Sequence, residues 1–133
     1  MQIQRVQNTK NNTNFGAGII TLKNIELKDL LQFDKIKRIA EEDSLDLFIS
    51  KGKESKSLSG NYSYNAIAKR DIDKFPYSAY GFSYMLTNKT DQAEEVSAKL
   101  LEVVKTSVDK LAENIKIRTG TKPEFMKYLK EGK

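Results

Sequence analysis

The sequence predicts an α+β fold. The expected architecture is an antiparallel sheet of three to four strands, with one long C-terminal helix and one shorter helix packed on one face. The expected order is β-α-β-β-β-α with a short terminal α. Three observations carry this. Residues 96–115 hold an apolar stripe at helical spacing. Three stretches between 45 and 87 alternate between apolar and polar or between large and small. The connections between those stretches are short and rich in Gly, Ser and Pro. Alternation with period two marks strands, and spacing of three and four marks helices.

Residues 1–14 are polar and amide-rich, with Ile3 and Val6 as their only large aliphatic side chains beyond Met1. They read as a flexible N-terminal arm or a late-docking edge segment. Residues 15–133 then form a single α+β domain. GAGIITLKNIEL has the β-branched content of a strand, with glycines that permit a bend at its start. Over 28–43, Leu30, Phe33, Ile36, Ile39 and Ala40 fall on one helical side. In LDLFIS, Leu45, Leu47 and Ile49 face one way and Asp46 and Ser50 the other. YSYNAIAKRDI, 62–72, is a further strand, and Pro76 separates it from another at 77–87.

Asp91 with Glu94 three residues on gives an N-cap signature for the long helix. Val96, Leu100, Val103, Val104, Leu111 and Ile115 form its stripe, Glu95 and Lys99 lie four apart on the other side, and Gly120 marks its stop. TKPEFMKYLKEGK is a short second helix whose Phe125, Met126 and Leu129 cap the core.

On 77–87, Tyr80, Phe82, Tyr84 and Leu86 alternate with Ala79, Gly81 and Ser83. Burying one large side chain stabilises a fold by about 1.5–3 kcal/mol. The bulky row is therefore expected beneath the long helix, as the sheet's share of the core. A row facing away from the helices would instead be a platform on which bases stack. Tyr62 and Tyr64, two apart on the neighbouring strand, are the better stacking candidates if their row points outward, with Lys69, Arg70 and Lys74 close in sequence.

Composition excludes much chemistry. The chain contains neither cysteine nor histidine. Disulfides, thiolate metal sites, thiol nucleophiles and imidazole bases are therefore absent. Asp71 and Asp73 could hold a magnesium ion, but no second acidic cluster accompanies them. Gly16 and Gly18 form a G-x-G with no preceding strand, so the dinucleotide-binding reading fails. Ser55, Ser57 and Ser59 lack a base partner other than lysine. No enzyme and no cofactor is expected. No apolar run approaches the roughly 20 residues of a membrane span, and no apolar leader opens the chain, so a cytoplasmic location is expected.

The net charge is +5, and 19 of the 23 cations are lysine. Lysine lacks the planar fork that arginine offers to phosphate. The tail is the most basic stretch, and Lys122, Lys127, Lys130 and Lys133 are its candidate contacts. Residues 28–116 run α-β-β-β-α, which resembles the order of a double-stranded-RNA-binding domain. That resemblance implies lysines gripping phosphate at the start of the last helix. Here that helix begins DQAEE, which puts the wrong sign on Asp91, Glu94 and Glu95. The similarity is one of topology.

By exclusion, the chain is expected to be a small non-enzymatic binding protein that occupies another protein's surface. The alternative is a lysine-dependent, sequence-tolerant nucleic-acid-binding protein. Its contacts would come from Tyr62, Tyr64, Lys69, Arg70, Lys74, Lys122, Lys127 and Lys130.

Overall fold

A computed structural model describes residues 4–6, 18–52, 62–71, 78–88 and 91–130, and the side chains of 4–6, 128 and 130 are not described. Five strands form one sheet in the spatial order β1-β2-β3-β4-β5. They are β1 (Gln4–Val6), β2 (Ile20–Lys23), β3 (Asp46–Lys51), β4 (Tyr62–Asp71) and β5 (Ser78–Thr87). A 3-10 turn at Leu27–Leu30 and helix α1 (Phe33–Glu42) connect β2 to β3. The long helix α2 (Ala93–Thr119) and the short α3 (Lys127–Lys130) complete the chain.

The fold is α+β with a long C-terminal helix, but the sheet is mixed. β1–β2, β3–β4 and β4–β5 pair antiparallel, whereas β2 and β3 run parallel. The expectation of a purely antiparallel sheet treated all consecutive strands as hairpins. β2 and β3 are separated by a helix, and a strand–helix–strand crossover returns the chain in the same direction. The strand count is also higher than expected, because Gln4–Val6 adds an edge. The helical stretch 28–43 begins as a 3-10 turn and becomes α-helix only at Phe33.

α2 follows its predicted stripe. Val96, Leu100, Val103, Val104 and Leu111 are buried, and Ile115 is partly so. The helix stops at Gly120, whose φ of 87° suits glycine and whose N–H closes the last turn on Lys116 O at 2.7 Å. Its N-cap is Gln92, one residue later than Asp91, and Glu95 Oε1 accepts from Gln92 N at 3.3 Å. Lys99 pairs with Asp91 at 2.8 Å.

The sheet floor under α2 consists of small residues. Ala66 and Ala68 on β4 and Ala79, Gly81 and Ser83 on β5 are all buried. A Cβ at Gly81 would lie 2.1 Å from Ser107 O and 2.3 Å from Leu111 N. The helix backbone therefore rests directly on the strand. Leu47, Ile49, Ile20 and Leu22 extend the same face toward β2, and Ile36, Ile39 and Ala40 of α1 close it. Phe125 and Met126 are buried at the margin, and Met126 N donates to Asp43 Oδ2 at 2.9 Å, which ties the C-terminal segment to the end of α1.

Candidate interface on the open face of the sheet

Both helices and the C-terminal segment pack on the small-residue side, so the other side of the sheet carries the bulky row. Tyr80, Phe82, Tyr84 and Leu86 are between 51% and 61% exposed. This corrects the expectation that they lie beneath α2. The reason is distance. A helix whose backbone meets the strand at Gly81 leaves no room for rings, and residues two apart on a strand share a face. The small set was taken by the helix, and the large set was turned outward.

Register shows what accompanies the row. Thr21, Phe48, Ile67 and Phe82 are successive cross-strand partners, so one line crosses four strands. Phe48 is 39% exposed and Ile67 half-buried. Along β5 the Phe82 and Tyr84 rings are 6.3 Å apart at 28°, close to parallel. The result is a continuous apolar patch of Phe48, Ile67, Tyr80, Phe82, Tyr84 and Leu86. Ser50, Asn65 and Ser63 stand around it by the same register.

Among the described side chains this face carries both signs of charge. Lys69 stands opposite Asp46 on β3 and Tyr80 on β5. Asp71 stands opposite Ser78, whose hydroxyl donates to its Oδ1 at 2.5 Å. Asp46 Oδ1 accepts from Ile19 N at 3.2 Å, and Lys23 lies exposed on β2.

Most other residues singled out in the sequence lie elsewhere. Tyr62 and Tyr64 point to the closed side. Tyr64 is fully buried, with Tyr62 against its ring edge at 5.6 Å. Tyr64 is not available for stacking, and Tyr62 is partly buried against the core. Arg70 also lies on the closed side, with its guanidinium 5.4 Å from the Phe125 ring centroid. Lys122 pairs with Glu113 at 2.8 Å, and Lys127 stands 3.9 Å from Glu124. Glu113 beside Lys122 raises the lysine's pKa, and Lys122 lowers that of Glu113. These tail lysines are partly neutralised at a cleft of about 480 Å³ lined by Asp109, Ala112, Pro123 and Phe125. Lys74, Lys133 and Asp73 lie outside the described residues, as does the side chain of Lys130.

A buried polar cluster escaped the sequence reading altogether. The Tyr64 hydroxyl donates to Asp29 Oδ1, and Glu26 N donates to Oδ2 at 2.9 Å. Lys51 Nζ stands 3.4 Å from Oδ2 and 4.7 Å from the Tyr62 ring centroid. Asp29 is fully buried yet completely partnered, so the cluster seals the sheet against the 3-10 turn. Burial, then the hydrogen bond to Asp29 and its negative charge, pushes the Tyr64 hydroxyl above its ordinary value of 10.0. The only sequence signal was an Asp in a short apolar turn.

No helix among the described residues is long and apolar enough to cross a membrane. No group of three or more acidic side chains among them is placed to hold a metal ion. Comparison with protein-family models, with curated proteins and with solved structures returns no match.

Proposed function

We propose that this chain is a non-enzymatic binding protein whose working surface is the open face of its sheet, and that the surface takes another protein. The observation that carries the reading is the contiguous patch of Phe48, Ile67, Tyr80, Phe82, Tyr84 and Leu86 left uncovered on a strand face. Uncovered apolar patches rimmed by polar groups mark association sites, and aromatic residues are enriched in their cores. The face offers phosphate little. Lys69 has Asp46 across from it, and the tail lysines Lys122 and Lys127 stand beside acids.

One observation favours a second reading, a sequence-tolerant single-stranded nucleic-acid binder. The near-parallel Phe82 and Tyr84 rings form a ledge on which successive bases could stack, at about 1–3 kcal/mol per base.

The test is retention on the immobilised full-length chain, with Tyr84→Lys as the control surface. A protein retained by the parent chain and lost by the variant is the expected result, whether it is a host protein or a further copy of this chain. Retention of labelled single-stranded oligonucleotide alone, weakening steeply as salt rises, moves the assignment to the second reading.

A further inference from the structure

We infer that the open face is the interface of a two-fold symmetric dimer, each copy laying its aromatic row on the same face of the other. The inference rests on the protein-binding reading above and names the occupant.

Area is the first argument. An aromatic side chain carries about 150–250 Å². Tyr80, Phe82 and Tyr84 are about half exposed, Leu86 likewise, and Phe48 somewhat less. The apolar patch is thus roughly 500 Å² per copy. A standard interface takes about 800 Å² per partner, an apolar core within a polar rim. The hydroxyl and amide side chains around the patch supply that rim. Ser50, Ser63 and Asn65 are each only partly exposed, so the face reaches about 600 Å² per partner, the low end of specific interfaces and enough for a concentration-dependent dimer.

Charge is the second argument. A two-fold interface sets a surface against itself, so a face of one sign would repel its copy. This face carries Lys23 and Lys69 against Asp46 and Asp71, by register and exposure. Among the described side chains both signs are therefore present, and the face is not of one sign. A nucleic acid, by contrast, would meet Asp46 and Asp71 on this face, which repel phosphate.

Access is the third argument. α1, α2 and the buried Phe125–Met126 segment pack on the opposite side, so two described sheets can approach face to face. Packed sheets lie about 10 Å apart with their inner side chains interleaved. The assembly would be four layers, helices outside and two sheets within.

The experiment is sedimentation equilibrium of the full chain over a range of concentrations, with Phe82→Lys and Tyr84→Lys as variants. Both positions are half exposed, so circular dichroism of each variant should match the parent. A mass twice that of the chain is expected for the parent. Each variant should weaken the dimer by about 100-fold, as expected for a central aromatic anchor. A parent that stays monomeric at every concentration overturns the inference, as does a dimer that both variants leave unchanged. A photo-crosslinking residue at position 84 separates this failure from that of the parent reading. Cross-links from a monomeric chain to a different protein leave the protein-binding surface standing and exclude self-pairing. Cross-links to nothing remove both.

Discussion

The two faces of β5 differ by one residue in phase and by almost everything in environment. Ala79, Gly81, Ser83 and Thr87 are buried against or beside α2, while Tyr80, Phe82, Tyr84 and Leu86 face outward. The hydrophobic payload sits on the side that no described helix covers. Had folding alone set the choice, burying the rings would have been worth about 1.5–3 kcal/mol each. The closed face gains its stability differently. Small side chains let the helix backbone approach closely, and α2 supplies the bulk through Leu100, Val103, Val104, Val108 and Leu111. The contrast teaches that a row of large residues reveals strand periodicity but not direction.

The largest effect should come from spoiling the closed face. A methyl group at position 81 would fall 2.1 Å from Ser107 O and 2.8 Å from Leu111 Cα. Neither is a side-chain end that can swing away, so α2 must lift from the strand. Gly81→Ala is expected to cost about 3 kcal/mol or more, at the upper end for overpacking, read as a lower urea midpoint. Phe82→Ala on the opposite face is the comparison, and it should move the monomer's midpoint far less. Equal losses at the two positions would mean that the faces are not as different as the packing implies.

That asymmetry also explains how much the sequence disclosed. The elements were legible, because LDLFIS alternates and the α2 stripe recurs at three and four. The stop at Gly120 was legible from the glycine itself, and the burial of Phe125 and Met126 from their apolar character. The expected helix was not there, because both residues precede α3, which begins only at Lys127, and Met126 has a φ of 61°. The direction of β5 was not legible, since it depends on how closely the backbone of α2 at Ser107 and Leu111 approaches Gly81. Glycine within a strand does mark a close backbone approach, and that signal was outweighed by the apparent gain from burying aromatics. The parallel β2–β3 pair was implied by the helical stretch between the two strands, and the reading of consecutive strands as hairpins passed over it. Tyr62 and Tyr64 were misplaced for a simpler reason: Ala66 and Ala68 continue their row, and it was the small residues that belonged under α2.

A middle-sized effect is expected at Tyr64, the fully buried ring on the closed face of β4. Its position at the end of the sheet lets the hydroxyl reach Asp29. Tyr64→Phe removes that donor and leaves a buried carboxylate oxygen without it, a loss of about 1–3 kcal/mol. The pH dependence follows from the raised pKa of the hydroxyl. The folded state holds the proton more tightly than the unfolded state does. The stabilisation is therefore complete below pH 10.0 and is lost as pH rises above it. The slope is about 1.4 kcal/mol per pH unit. The parent's advantage over Tyr64→Phe, measured by urea unfolding, should shrink as pH climbs past that point. An advantage that stays constant into strong alkali would show that Tyr64 is not held as the proton donor.

The smallest effect belongs to the turn that joins the closed face of β5 to the helix lying on it. Thr87, the buried last residue of β5, donates its hydroxyl to Asp91 Oδ2 at 2.9 Å, and Asn88 N donates to the same oxygen at 3.2 Å. Lys99, nearly two turns into α2, reaches that oxygen at 2.8 Å. The hydrogen bond from Lys99 first, then those from Thr87 and Asn88, hold the Asp91 carboxyl below its ordinary 3.8. A depressed acid stabilises the fold above its unfolded pKa, and the contribution fades as pH falls through the folded one. Asp91→Ala should therefore lower the melting temperature modestly at neutral pH, and the gap to the parent should close in strong acid. Lys99→Met should reproduce the neutral-pH loss, because it removes the larger cause of the shift. A gap that persists unchanged once the carboxyl is protonated would place the stabilisation in turn geometry, and the electrostatic tie between strand and helix would be withdrawn.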